Sequence, residues 1–316
     1  MPEHRLAEVV AAISLATDLG MGQPLRHALR TSVIATRLAA AADVDVREQP
    51  VVYYTALLRY LGCTADAHLM SATFGDEIAA RAAFATIDPA SGREQLAWLA
   101  RNVGPPRRVA KLASAVAEGD RGTRDVYATA CEVARRLAER LGLPEDVQDS
   151  LLQAFERWDG KGFPAGAAGE EIGRPARVVA LARDAEVFHR TGGLAAAVGV
   201  VRRRAGAAYD PTLAAVFCDG AAGLVADLDE PWEAALAAEP PPRRHVRQLD
   251  AVCRAVADFA DLKTPWTLGH SSGVAELAKP PHGASGSTAT RCAGRRSCTT
   301  WAAWACRTRS GSARAR

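Results

Sequence analysis

Apolar residues recur three and four positions apart along Leu6–Leu19, Leu25–Leu38, Val46–Leu61 and Val126–Leu141. That spacing lines one face of an α-helix. In the last segment Val126, Val133, Leu137 and Leu141 form a stripe, with Arg135, Arg136, Glu139 and Arg140 outside it. Gly142 is placed to end this helix and Pro144 suits the first turn of the next. Asp210-Pro211 predicts another start, because the carboxylate can cap free amides and proline tolerates the first helical position. Alternating Val/Ile/Thr runs are rare and alanine, a strong helix former, is spread throughout. The pattern predicts an all-α protein. Residues 1–230 read as one helical domain and 231–248 as a stiff linker, on account of Glu239-Pro240-Pro241-Pro242-Arg243-Arg244. A new amphipathic pattern starts at Leu249 and runs through Phe259.

Composition narrows the class. The 316 residues are 48% hydrophobic and 24% charged, which excludes wholesale disorder and a collagen-like fibre. No apolar run reaches the ~20 residues of a membrane helix. Met1-Pro2-Glu3-His4-Arg5 lacks the features of a signal peptide, so a cytoplasmic location is expected. The formal net charge of +3 averages two unlike parts. No acidic residue follows Glu276, whereas Lys279, Arg291, Arg295, Arg296, Arg307, Arg309, Arg314 and Arg316 are basic. Subtracting these eight from 39 leaves 31 basic against 36 acidic residues, a balance of −5 over 1–278. Nucleic acid is thus not an expected partner of that part, nor is a membrane. Cys63, Cys131, Cys218 and Cys253 are scattered like reduced thiols, and no CxxC spacing argues for a zinc knuckle.

Two features carry chemistry. Asp18-Leu19 precedes His27 by the spacing at which Asp261-Leu262 precedes His270, and each histidine opens an apolar-periodic segment. The second feature is the stretch Phe155-Glu-Arg-Trp-Asp-Gly-Lys-Gly-Phe-Pro-Ala-Gly, a glycine-punctuated loop after a helix. Composition alone makes it an ordinary connection. Its residue order, however, resembles the GYP-containing loop of HD-GYP proteins, with Phe163 in place of the usual tyrosine. Tyr209-Asp210-Pro211 followed by Phe217 resembles that family's late helix start. The resemblance spans roughly residues 20–225.

The resemblance implies an HD-domain-like helical bundle. It also implies metal-dependent phosphohydrolase activity, typically on cyclic di-GMP, with iron, manganese or zinc held by histidines and carboxylates. The family's loop residues correspond to Glu156, Trp158, Asp159, Gly160, Lys161, Gly162, Phe163 and Pro164. Its first-helix histidine corresponds to His27, and Asp184 lies near its late aspartate. Where the family's His-Asp pair is expected, however, the chain has Arg59-Tyr60. The next ligand histidine falls near Ala130, and the paired histidines at Ala154-Phe155. Alanine, phenylalanine and guanidinium cannot coordinate a metal. The expectation is a degenerate module with no catalytic residue and no bound cofactor, in which His27 and Asp184 are remnants. Ordinary roles compete with the ligand roles. His27 reads as a hydrogen-bonded helix histidine, Asp184 as a surface carboxylate beside Arg183, and Arg202-Arg203-Arg204 as a solvated helix end. Lys161 reads as an exposed loop lysine, and His68 and His189 receive no role.

After Leu277 the chain contains no Leu, Ile, Val, Met, Phe, Tyr, Asp, Glu, Asn or Gln, yet it holds Trp301, Trp304 and three cysteines. That is an odd composition for a disordered basic arm. Regrouping the codons of Ser297–Thr308 one nucleotide earlier turns each Trp-Ala junction into a forced glycine. The regrouped stretch can read Leu-His-Asp-Leu-Gly-Arg-Val-Gly-Val-Pro-Asn, which resembles the HD signature of the same family. Residues 249–278 are therefore read as the start of a second HD-type module, with His270 as its first, incomplete ligand. Residues 279–316 are read as a disordered, out-of-frame tail.

Three functions compete on this reading. One is a signalling or regulatory module on a phosphohydrolase scaffold, partnered by a cyclic dinucleotide, a signalling protein or a second copy of itself. The others are an active metal-dependent phosphohydrolase and the sensory part of a longer transcriptional regulator.

Overall fold

The helix from His27 to Ala41 is small or apolar almost all round, and it lies at the centre of the molecule with ten of its residues buried. In the computed structural model, residues 4–64, 67–103, 120–246, 248–262 and 264–278 are described. In chain order the α-helices are α1 (Leu6–Gly20), α2 (His27–Ala41), α3 (Gln49–Leu58), α4 (Ala67–Phe74), α5 (Glu77–Phe84), α6 (Gly92–Asn102) and α7 (Asp120–Arg140). They continue as α8 (Glu145–Leu152), α9 (Arg174–Arg204), α10 (Pro211–Leu224), α11 (Pro231–Ala237), α12 (Leu249–Asp261) and α13 (His270–Leu277). Among the described residues the only β-type pairings are isolated bridges, so the architecture is all-α. No described helix is long and apolar enough to cross a membrane.

Around α2 pack α1, α3, α9, α10 and α11. Their buried Leu, Val, Ile and Ala side chains, with Tyr53, Tyr54 and Phe217, form one continuous core. The expected punctuation is present. Gly142 takes φ +76 beyond α7, and Asp210 caps α10 by accepting the amide of Thr212 at 2.9 Å, with Pro211 in the first turn. Pro144 stands one place earlier than expected, capping α8 rather than entering it.

The stretch 231–248, expected as a linker, is in part built into the body. Helix α11 buries Ala235 and Leu236. Arg5 reaches the Leu236 carbonyl at 2.8 Å and pairs with buried Glu239. Beyond it α12 lies on α7, sinking Val252 and Ala255 into the core. The tail 279–316 lies outside the described residues.

Candidate functional site

The glycine-rich loop folds on itself and then onto the end of α9. Phe163 donates its amide to the Phe155 carbonyl at 3.1 Å, and the Phe163–Pro164 peptide is cis. Glu156 is buried, and its carboxylate accepts the amides of Ala165 at 2.7 Å and Gly166 at 3.1 Å. Burial pushes this carboxyl upward against those amides. A Cβ on Gly162 would run into the backbone of Glu156 and Arg157, so only glycine fits there. The amides of Trp158 and Asp159 reach the carbonyls of Ala208 and Ala207 at 3.3 and 2.9 Å. Asp159 accepts the Lys161 amide at 3.1 Å, while the Lys161 side chain is exposed.

Tyr60, just past the end of α3, is the hub of the site. It is buried together with Cys63 and Ala130. The His27 ring lies 5.9 Å away between centroids, and the Phe155 ring 6.3 Å. The Arg59 guanidinium stands 4.6 Å over Phe155 and 5.9 Å over Tyr60, a cation–π arrangement. Arg59 also donates to the Ala154 carbonyl, and its buried Nε has no partner among the described residues. From the other side Arg183 donates to the Tyr60 hydroxyl and, at 3.2 Å, to the Ala85 carbonyl. A Cβ on Gly62 would overlap the Ala130 carbonyl, which is why the turn at Leu61–Thr64 can lie directly on α7.

Asp184 anchors a charge network. It is 8% exposed and pairs with Arg183, with Arg204 at 2.7 Å, and with the Tyr209 hydroxyl. Burial alone would raise its carboxyl, but the two guanidinium groups and the phenol outweigh this and hold it below the usual range. Arg204 and Arg157 both converge on Asp88, at 3.8 and 2.9 Å, which ties the loop to the segment between α5 and α6. At the start of α2, His27 donates from Nδ1 to Glu186, leaving its buried Nε2 without a partner among the described residues. Asp18 sits nearby, accepting the Ala28 amide at 3.2 Å, and burial pushes its carboxyl up to about 7 despite His27 and that amide.

Residues 72–213, which hold the loop, Ala130, Ala154, Phe155 and Asp184, match the family model described as HD domain. That part of the chain is similar to an HD domain. The chain is 23% identical over 288 residues to the 3'3'-cGAMP-specific phosphodiesterase 3 of Vibrio cholerae serotype O1, covering 85% of this chain and 61% of that protein. The crystal structure of the cyclic GMP-AMP specific phosphodiesterase V-cGAP3 of V. cholerae superposes with a TM-score of 0.66 at 20% identity. That likeness covers 88% of this chain and 65% of that one, and it shows the fold. The chain therefore spans less than two thirds of the length of these relatives.

HD-domain phosphodiesterases are generally dependent on divalent metal, so the donor set decides whether one fits here. Around Tyr60 stand two guanidinium groups, a phenyl ring and Ala130, none of which offers a metal a lone pair, with the Cys63 thiol and the His27 ring, which could offer one, beside them. Cys131, beside Ala130, is held as a thiol by burial, which pushes it up to about 12. His27 keeps a buried Nε2 with no partner among the described residues, but Asp184 is taken up by Arg183, Arg204 and Tyr209, and no group of three or more His, Cys, Asp or Glu among the described residues is placed to hold an ion. The residues present do not fit a binuclear metal centre.

Of the residues singled out from sequence, Asp184 is not a surface carboxylate and Arg204 is not a solvated helix end. They are partners in one buried pair. His27 is fully buried and hydrogen-bonded. His270 is exposed at the start of α13, away from this centre in the second helical segment. His189 is half-buried, and His68 has no described side chain. Sequence reasoning missed Asp88, Arg157 and Glu186 altogether. Their partners are 69 and 159 residues away, and no local spacing announces them.

Proposed function

We propose that this chain is a non-hydrolysing module on an HD-GYP phosphohydrolase scaffold, which recognises a cyclic dinucleotide and passes that state on as a regulatory signal. The observation that carries the reading is the Tyr60 hub. Where the HD-GYP resemblance requires imidazoles and a carboxylate, Arg59, Tyr60, Ala130, Ala154 and Phe155 pack together, with Arg183 inserted among them. A hydrolytic centre of this type uses metal ions to activate water and neutralise the attacked phosphate. Here the fixed positive charge comes from arginine, which can meet a phosphate but cannot lower the pKa of a bound water. The V. cholerae relative is named for its action on 3'3'-cGAMP, which makes a cyclic dinucleotide the ligand class to test.

The test uses the full chain with 3'3'-cGAMP and cyclic di-GMP. Elemental analysis is expected to find substoichiometric iron, manganese and zinc, and added Mn²⁺ or Fe²⁺ to bring no turnover. Calorimetric titration is expected to show saturable binding that Arg59→Ala weakens by about tenfold or more, the worth of one charge-assisted contact. Stoichiometric metal together with hydrolysis would return the chain to the active phosphohydrolases.

A further inference from the structure

Helices α4, α5 and α6 pack on one another as a small lobe. Trp98 stands against Phe74 and Phe84, at 4.9 and 5.1 Å between centroids, and donates its indole N–H to the Ala80 carbonyl at 3.0 Å. Among the described residues, the continuous apolar core around α2 takes no side chain from these three helices. Polar and backbone groups tie the lobe to the body. Arg81 donates to the Met21 thioether at 3.2 Å, and the backbone of α5 at Ile78 lies against Gly22. The Ala85 carbonyl accepts Arg183 at 3.2 Å, and Asp88 accepts Arg157 at 2.9 Å.

The last two ties end on one cluster of arginines. The side chains of Arg157, Arg183 and Arg204 are each no more than 15% exposed. Against these three guanidinium groups the body itself sets two carboxylates, Asp159 beside Arg157, and Asp184 beside Arg183 and Arg204. The third negative charge is Asp88, and it comes from the lobe. Its hold on the cluster is uneven, since Arg204 stands 3.8 Å away, beyond hydrogen-bond reach. Within the lobe Asp88 is better fixed. Its amide donates to Glu94 at 2.7 Å and its carboxylate accepts the Ala90 amide at 2.9 Å, so it moves with the lobe. Without Asp88 the cluster carries one uncompensated positive charge, and paired guanidinium N–H groups are suited to a phosphate. A phosphodiester brings the same single charge as the carboxylate it displaces, and a second oxygen to replace the Ala85 carbonyl at Arg183.

We propose that Arg157, Arg183 and Arg204 form a phosphodiester seat, which residues 85–88 fill until a ligand displaces the lobe. The choice of a phosphodiester rests on the cyclic-dinucleotide reading above. The seat itself rests on the charge balance and on a lobe that shares no apolar core with the body among the described residues. Ligand and lobe exclude each other, so occupancy of the seat is converted into release of α4, α5 and α6.

The test titrates the full chain with 3'3'-cGAMP and with inorganic pyrophosphate, and reads hydrogen exchange across α5 and α6. Either ligand is expected to speed exchange there by about tenfold or more and to leave α2 unchanged. A competitor within the chain lowers apparent affinity by the fraction of molecules in which the seat is open. Asp88→Asn keeps an oxygen for the Ala90 amide and removes the charge, so it is expected to bind pyrophosphate about tenfold more tightly than the parent. Asp88→Glu restores the charge and should stay within about twofold of the parent. Should Asp88→Asn fail to fold, exchange in the parent chain decides alone. Slower or unchanged exchange of α5 and α6 on binding overturns the seat. So does equal affinity of parent and Asp88→Asn, or no pyrophosphate binding by either. Tighter pyrophosphate binding by Asp88→Asn without any response to 3'3'-cGAMP supports the seat and removes the cyclic-dinucleotide reading.

Discussion

A carboxylate held between two buried guanidinium groups cannot be removed without stranding them. Asp184→Asn leaves Arg183 and Arg204 without their shared counter-ion, and loss of one partner of a buried pair costs about 3–5 kcal/mol. Urea unfolding is expected to show that loss, whereas Lys161→Ala on the exposed loop should change stability by no more than ~0.5 kcal/mol. The pH dependence of two aspartates runs in opposite directions. Asp184 is held below its ordinary range, so its stabilisation is present above the unfolded value near ~4 and is lost as pH falls through the folded value. Asp18 is pushed up to about 7. Between ~4 and that value the unfolded chain has released a proton that the folded chain keeps, so this group lowers stability as pH rises. In Asp18→Asn the amide oxygen can still accept from Ala28 and nothing titrates. The stability of the parent relative to this variant is therefore expected to fall between pH 5 and pH 8, and chemical denaturation at the two values measures it. An unchanged difference would mean that Asp18 titrates in its ordinary range.

At the scale of elements, contacts decide what periodicity could not. The helices α1, α2 and α7 follow their apolar repeats, and α10 begins at the proline that marks it. The repeat ahead of α3 opens at Val46, but the helix opens at Gln49 with Pro50 in its first turn, and Val46 is 63% exposed. Proline's fixed φ set the boundary there, rather than hydrophobicity. The charge network was illegible because α9 is interrupted at Gly193, at φ 73 and ψ −175. That break turns the second half back, so Arg204 meets Asp184 on the first half from 20 residues along the chain. A run of three arginines gives no hint of this. Gly62 was equally silent in sequence, since its reason is the backbone of Ala130 on another helix. Gly62→Ala must push the Leu61–Thr64 turn off α7. The cost of such overpacking is about 1–3 kcal/mol, at the upper end where backbone is the obstacle. Near-ultraviolet circular dichroism should change with it, because Tyr60 and Phe155 sit beside that contact. A variant with parent stability and an unaltered aromatic signal would show that the turn has slack.

For the whole molecule, the boundary is set by where the chain closes on itself. Residues 4–6 pair with 244–246, and Arg5 binds Glu239, so the body closes on itself at about Val246. Past that point α12 and α13 contribute unequally. Helix α12 buries Val252, Cys253 and Ala255 and places Asp258 2.7 Å from Arg140 of α7. The exposed ion pair adds little. Burial of the apolar side chains, at ~1.5–3 kcal/mol for a valine and less for the smaller groups, contributes about 2–4 kcal/mol. Helix α13 buries nothing and so contributes nothing of this kind. A chain ending at Leu262 should therefore melt within about 2 °C of the 316-residue chain. A chain ending at Val246 should melt about 4–16 °C lower, taking ~2–4 °C per kcal/mol for a body of this size. Both should keep a single cooperative transition in scanning calorimetry, because the core around α2 is complete without either helix. Equal melting temperatures for all three chains would mean that α12 rests on α7 without stabilising it, despite the burial of Val252.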